Sequence, residues 1–270
     1  PYLSRPNRLI PQRAIYLARV MTQAFLSREE LERYDRQIML WGRDVQLKLK
    51  KSSVLVVGIG GLGSPASIYL AAAGVGRIVL LDPQTVELSN LNRQVAHWTP
   101  DIGRLKVESA AEKLRKLNPE VEVEAKAVRL TEENAEEIIG SVNLVVDALD
   151  NWSTRFLVNR VCVKLGKPLV HAGVKGMHGQ LMVIYPGKGP CLQCLIPKPP
   201  PEEEKFPILG TTAGVMGVLE ANEAIKLLAG YGKPLIGRLL IYDGLNGEIN
   251  VISVKRRENC PICGALRGNA

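Results

Sequence analysis

Val54-Leu55-Val56-Val57-Gly58-Ile59-Gly60-Gly61-Leu62-Gly63 is the stretch that decides the fold. Its four leading apolar residues read as a buried strand. The Gly-x-Gly-x-x-Gly spacing reads as a turn into a helix that runs, rich in alanine, to Gly74. Gly58 permits a tight turn off the strand. Gly60, with Gly61 beside it, lets backbone N–H groups approach a phosphate, and Gly63 lets the helix pack close to the strand. The helix N-terminus offers further N–H donors and a partial positive charge. A second apolar strand ends at Asp82, where a carboxylate can accept hydrogen bonds from ribose hydroxyls. Alone, this cradle fits a nicotinamide-dependent oxidoreductase as well as an enzyme that binds ATP.

Outward from the cradle, the sequence becomes cationic. Ser89-Asn90-Leu91-Asn92-Arg93-Gln94 follows the second strand, and residues 103–118 form an amphipathic pattern with Lys106 near its start. Asn90, Arg93 and Lys106, joined by Arg36, make a collection that a nicotinamide enzyme does not need around its pyrophosphate. An enzyme that cleaves ATP does need it, because charge builds on the transferring and leaving phosphates. The chain contains no Gly-Lys-Ser/Thr phosphate loop, which excludes the ordinary ATPases of that class.

Residues 121–127 alternate as a half-exposed strand, and Thr131-Glu132-Glu133-Asn134 opens a helix. Leu144-Val145-Val146-Asp147-Ala148-Leu149 is a buried strand carrying one acid, ended by Asp150-Asn151. Asp150 therefore points at the cradle, either as a carboxylate for magnesium or as the N-cap of a helix starting near Ser153. We favour magnesium. Strands follow over 168–174 and 180–185, then a proline- and acid-rich loop over 197–205 that reads as a mobile, exposed crossover. A helix over 214–229 and two strands, 238–243 and 249–255, paired across Asn246-Gly247, complete the order. One continuous mixed sheet, parallel first and antiparallel toward the C-terminus, accounts for this order.

Upstream, Ser27-Arg28-Glu29-Glu30 is a helix start with a capping pattern, and its helix should run to Gln37 with Arg33 and Arg36 on one face. Residues 1–26 read as a basic N-terminal extension ahead of a single domain over 27–270; Arg5, Arg8, Arg13 and Arg19 occur there without an acid.

The 270 residues are 46% hydrophobic, enough for a sizeable core, and carry a net charge of +8. That charge suits an anionic partner; ATP or an acidic protein fits better than nucleic acid, for which a short basic arm is a weak footprint. No apolar run reaches the roughly 18 residues of a membrane span, and a cytoplasmic protein is expected. Four of the five cysteines form two Cys-x-x-Cys pairs, Cys191/Cys194 and Cys260/Cys263. Four sulfur ligands leave no open position, so the pairs predict a structural zinc clip rather than a catalytic metal. Cys162 reads as an inert core thiol. His97, His171 and His178 lack an acid-and-nucleophile pattern and read as structural.

Together these motifs resemble the MoeB/ThiF family, adenylyltransferases related to ubiquitin-activating enzymes. The resemblance covers roughly Ser27 onward. It rests on Arg33-Tyr34-Asp35-Arg36-Gln37, the glycine turn, Asp82, Ser89 to Gln94, Asp101-Ile102-Gly103 leading to Lys106, Asp147 to Asn151, and both cysteine pairs. It implies a Rossmann-like ATP-binding fold that adenylates the C-terminal glycine carboxylate of a small ubiquitin-like sulfur carrier ending in Gly-Gly, with release of pyrophosphate. It further implies that Gly58, Gly60, Gly61 and Gly63 cradle ATP, with Asp82 on the ribose. Asn90, Arg93 and Lys106 would meet the phosphates. Asp150, with Asn151 beside it, would hold Mg2+. Arg36 would reach into the partner's site in a homodimer, and Cys191, Cys194, Cys260 and Cys263 would hold Zn2+. Some relatives adenylate a modified tRNA base instead; the zinc pairs speak against that. Many relatives also carry a cysteine in the crossover loop, whereas residues 198–213 contain none, so the expected chemistry stops at the adenylate.

Overall fold

The computed structural model describes residues 25–203 and 205–265. The basic extension expected over 1–26 lies outside these residues except for its last two. Eight strands form one sheet in the order β3-β2-β1-β4-β5-β6-β7-β8. The strands are β1 (Ser53–Val57), β2 (Arg77–Leu81), β3 (Glu122–Lys126), β4 (Leu144–Asp147), β5 (Leu169–Lys175), β6 (His178–Ile184), β7 (Arg238–Asp243) and β8 (Glu248–Ser253). The first five run parallel and the last three pair antiparallel, as expected from the sequence.

Residue parity along the strands divides the core into two layers. Val54, Val56, Ile78, Leu80, Leu144 and Val146 face one side. They pack against α4 (Gly63–Ala73), α5 (Lys106–Leu117) and α9 (Gly210–Ala229). Leu55, Val57, Val79, Leu81, Val145 and Leu169 face the other, against α6 (Ala135–Gly140) and α7 (Trp152–Leu165). Each such fully buried aliphatic side chain contributes about 1.5–3 kcal/mol relative to exposure. Among the described residues no helix is long and apolar enough to cross a membrane.

Among the boundaries that differ from expectation, three have a visible cause, and for the first two the cause is long-range. The helix expected over 28–37 is two helices, α1 (Arg28–Arg33) and α2 (Asp35–Trp41), followed by α3 (Arg43–Lys50). The Ser27 capping box forms, with the Glu30 N–H donating to Ser27 Oγ at 3.1 Å. The break falls at Tyr34, whose ring is buried and whose hydroxyl accepts from Asn118 Nδ2 at 2.8 Å. A Cβ at Gly74 would lie 2.5 Å from that ring, so Gly74 makes the space it occupies. Helix α9 begins at Gly210 rather than Gly214. Gly210 and Gly217 have no side chain where the backbone oxygens of Asn92 and Leu62 come close, so α9 lies directly on the cradle. Strand β4 stops at Asp147 because the chain turns there: the Leu149 N–H donates back to Asp147 Oδ1 at 3.2 Å.

A charged cluster fastens the segment between β2 and α5. Burial alone would raise the Asp101 carboxyl, but the Lys113 ammonium and the Trp98 N–H hold it down at about 2. The folded pKa lies below the ordinary 3.8. The resulting stability, about 2 kcal/mol, is therefore present above pH 4 and lost as pH falls toward 2. Asp101→Asn should be less stable than the parent at pH 7, and the two denaturant midpoints should converge toward pH 2. A gap that persists at low pH would contradict this.

Candidate active site

A cavity of about 1030 Å3 opens beyond the carboxyl ends of β1, β2 and β4. Gly58, Gly60, Gly61, Asp82, Arg93, Lys106, Asp150 and Asn151 all line it, so most of the residues singled out in the sequence converge there. Gly63 acts from beneath: a Cβ there would sit 1.9 Å from the Gly58 carbonyl oxygen.

Asp82 is the hub of the floor. Its Oδ2 accepts from the Ile59 N–H at 2.8 Å and its Oδ1 from the Gln84 N–H at 2.9 Å. The carboxylate therefore holds the glycine turn itself while keeping lone pairs for a sugar hydroxyl. Lys106 starts α5, is 4% exposed, and donates from Nζ to Gln84 Oε1 at 2.8 Å. Burial lowers its pKa, while the carboxylates of Asp82, Asp150 and Glu87 pull the other way. Arg93 donates to the Ser89 carbonyl at 2.8 Å and to Asn92 Oδ1 at 3.0 Å, and its stem passes over Gly61.

Of the two readings of Asp150, the N-cap role falls to its neighbour instead. Asn151 is the N-cap of α7, its Oδ1 accepting from the Thr154 N–H at 3.0 Å. Among the described residues Asp150 then has one long hydrogen-bond contact, from Asn151 Nδ2 at 3.5 Å, which leaves its carboxylate lone pairs open. Behind it, Arg155 donates to the Leu149 carbonyl and lies 4.0 Å from Asp147. Asp147 in turn accepts from His171 Nδ1 at 2.6 Å. This buried group fixes the loop that presents Asp150.

Asn90 and Arg36 are not among the cavity's lining residues. Asn90 Oδ1 accepts from the Glu87 N–H at 3.1 Å and closes the turn leading to Arg93. Arg36 is exposed on α2, and no salt bridge or hydrogen bond joins its side chain to another described residue. Gln84, Arg155 and Glu202 are among the lining residues to which the sequence assigned no role. Glu202 accepts from the Trp152 and Ser153 N–H groups at 3.0 and 2.8 Å, and Glu203 pairs with Lys175 at 2.6 Å. The crossover loop is exposed, as expected, but it is fastened across the cavity mouth. Nothing local in Pro-Pro-Pro-Glu-Glu-Glu indicates that a helix N-terminus fifty residues earlier is its anchor.

The cysteine pairs meet at the second face of the sheet. All four sulfurs lie within 4.8 Å of one another and are buried, with Cys191–Cys260 at 3.6 Å and Cys194–Cys263 at 3.4 Å. Tetrahedral coordination at 2.3 Å puts ligand sulfurs about 3.8 Å apart, so the set fits zinc. Burial pushes the Cys191 thiol up to about 11, which a bound cation would reverse. The Arg257 N–H donates to Cys194 Sγ at 3.4 Å, and the N–H of Leu192, the first residue of α8 (Leu192–Leu195), donates to Asn159 Oδ1 at 3.0 Å, tying the clip to α7. Cys162 is fully buried and its thiol is pushed far up by burial, as expected of an inert core residue.

Comparison with known proteins agrees with this geometry. The ThiF family model matches residues 34–262. A sulfur carrier protein adenylyltransferase of Thermus thermophilus is 47% identical over 250 residues, covering 88% of this chain and 92% of that protein. The adenylyltransferase and sulfurtransferase MOCS3 of Bos taurus is 45% identical over 93% of this chain, which spans only 57% of that protein's length. Among solved structures, Escherichia coli MccB with AMPCPP and MccA has a TM-score of 0.78 at 25% identity, covering 95% of this chain and 83% of that one. The motifs, the mixed eight-stranded sheet and these matches together show that the chain belongs to the ThiF family.

Proposed function

We propose that this chain adenylates the C-terminal glycine carboxylate of a small ubiquitin-like sulfur carrier. A carboxylate oxygen of the carrier attacks the α-phosphorus of ATP. The bond to the β-phosphate breaks, and pyrophosphate leaves with its electron pair. No proton transfer is required, so the protein's task is to position the groups and stabilise charge.

Each part of the cavity has a share in this. Asp82 takes the ribose, and the N–H groups of Gly60 and Gly61 face the phosphates. Arg93 and Lys106 stabilise the charge that moves onto the leaving pyrophosphate. Asn90 closes the turn that aims Arg93. Asp150 is the carboxylate left free to hold magnesium, which when bound neutralises phosphate charge. The single observation that carries the reading is the convergence of Arg93, Lys106 and Asp150 on one cavity beside the glycine turn.

Three further parts belong to the proposal. Arg36, exposed beside the exposed Met39 and Leu40, serves the partner's cavity in a homodimer. The four-cysteine clip holds structural zinc, suited to the reducing cytoplasm. The reaction ends at the adenylate, because all five cysteines are buried and four belong to the clip.

Labelled pyrophosphate should exchange into ATP only when a carrier ending in Gly-Gly is present, and not when its C-terminal carboxylate is amidated. Intact mass should show adenylated carrier and no carrier–enzyme adduct. Exchange that ignores the carboxylate would overturn the proposal, and a thiol-cleavable adduct at Cys162 would overturn its last part.

A further inference from the structure

His97 is buried, 3% exposed, and does not line the cavity. Its ring nonetheless touches the glycine turn. Nε2 lies 3.0 Å from the Ile59 carbonyl oxygen, and Nδ1 lies 3.0 Å from Ser109 Oγ. We propose that His97 is a positioning residue of the nucleotide site, locking the Ile59–Gly60 peptide so that the Gly60 N–H points at the phosphates.

The hydrogen bonds define the tautomer. A carbonyl oxygen only accepts, so Nε2 carries the proton and Nδ1 accepts. Ser109 Oγ receives the Lys113 ammonium at 2.9 Å, which leaves its own hydroxyl proton to donate to Nδ1. The result is a directed chain from Lys113 through Ser109 and His97 to Ile59. Burial, together with the charges of Lys106 and Lys113, disfavours protonation and keeps the ring neutral; the Ile59 carbonyl and Asp101 oppose this less strongly. His97 is thus a fixed donor rather than an acid or base for the reaction.

The consequence for the cradle follows from peptide geometry. Ile59 is held on both sides: its N–H goes to Asp82 at 2.8 Å and its carbonyl to His97. In a trans peptide the carbonyl and the following N–H point in opposite directions. With the Ile59 carbonyl drawn inward to His97, the Gly60 N–H is turned outward, where Gly60 lines the cavity. No described residue accepts that N–H. Ser109 lies three residues beyond Lys106 on α5, so the same bond sets the turn against the helix that carries Lys106. Sequence alone could not show this, because the partners of His97 lie 12 and 38 residues away.

The inference rests on the proposed nucleotide site and is tested by binding, without a carrier. Mg-ATP affinity should be measured by calorimetry for the parent, His97→Leu and His97→Gln, beside the melting temperature of each apo protein. His97→Leu should weaken ATP about tenfold, and His97→Gln, whose amide can still donate to Ile59, should stay within about threefold. In turnover assays the loss should fall on the KM for ATP, leaving the KM for the carrier unchanged. Equal weakening in both variants, or unchanged affinity in a folded His97→Leu, would overturn the proposal. Should His97→Leu not fold, Ser109→Ala decides, with ATP weakened about threefold if the chain matters and unchanged if it does not. A parent protein that binds no ATP would instead sink the nucleotide-site reading itself.

Discussion

Replacing Lys106 with alanine should lower the rate constant of adenylate formation by about two to three orders of magnitude, with a much smaller change in ATP affinity. The ammonium is 4% exposed and stands in the cavity wall against Gln84. An ion so shielded from water acts on developing phosphate charge through a low effective dielectric, where each contact is worth most. Arginine should not restore the rate, because the wider guanidinium cannot keep the same buried bond to Gln84. Single-turnover formation of adenylated carrier at saturating ATP is the measurement. A variant within threefold of the parent would remove Lys106 from the mechanism. Because burial lowers the Lys106 pKa, the charged form is lost earlier as pH rises. The alkaline limb of the rate profile should therefore lie below lysine's ordinary range and should disappear in the alanine variant.

Stripping metal from the cysteine clip should have the largest effect on stability. A ligand present at a thousand times its dissociation constant stabilises the folded state by about 4 kcal/mol. At about 2–4 °C per kcal/mol for a chain of this size, chelation should lower the melting temperature by roughly 8–16 °C. The clip joins residues 191–194 to 260–263, and its loss also frees the hold of the Leu192 N–H on Asn159 of α7. Zinc should restore the transition and magnesium should not. Elemental analysis showing no metal in the purified protein, with a melting point indifferent to chelator, would refute the clip.

What was legible in the sequence shares one property: its chemistry is local. The strand, the glycine turn, Asp82 and each Cys-x-x-Cys are specified within a few residues, and each has the form and place expected. The parallel-then-antiparallel order was equally readable, because strands separated by helices give way to two pairs joined by short turns, β5 with β6 and β7 with β8. Legibility failed where a distant group decides. The break at Tyr34 is set by the pocket beside Gly74 and Asn118, and the early start of α9 by the backbone at Asn92. The division of labour between Asp150 and Asn151 depended on which side chain reached the Thr154 N–H, a choice that two adjacent cap-forming residues leave open. His97 read as structural because no catalytic partner stands near it in sequence; its importance comes from a carbonyl in the cradle.

The ring of Tyr34 and the bare backbone of Gly74 interlock so closely that a methyl group at position 74 would have to enter the phenol. Evolution cannot revise these two sites independently. A larger residue at 74 would need the aromatic at 34 cut back, which takes from the Asn118 amide one of its two acceptors, and it would still be strained by the left-handed backbone there. Across homologues, the identities at 34, 74 and 118 should therefore be inherited as a set. A chimera that crosses over between α1 and α4 should fold only when both parents share that set.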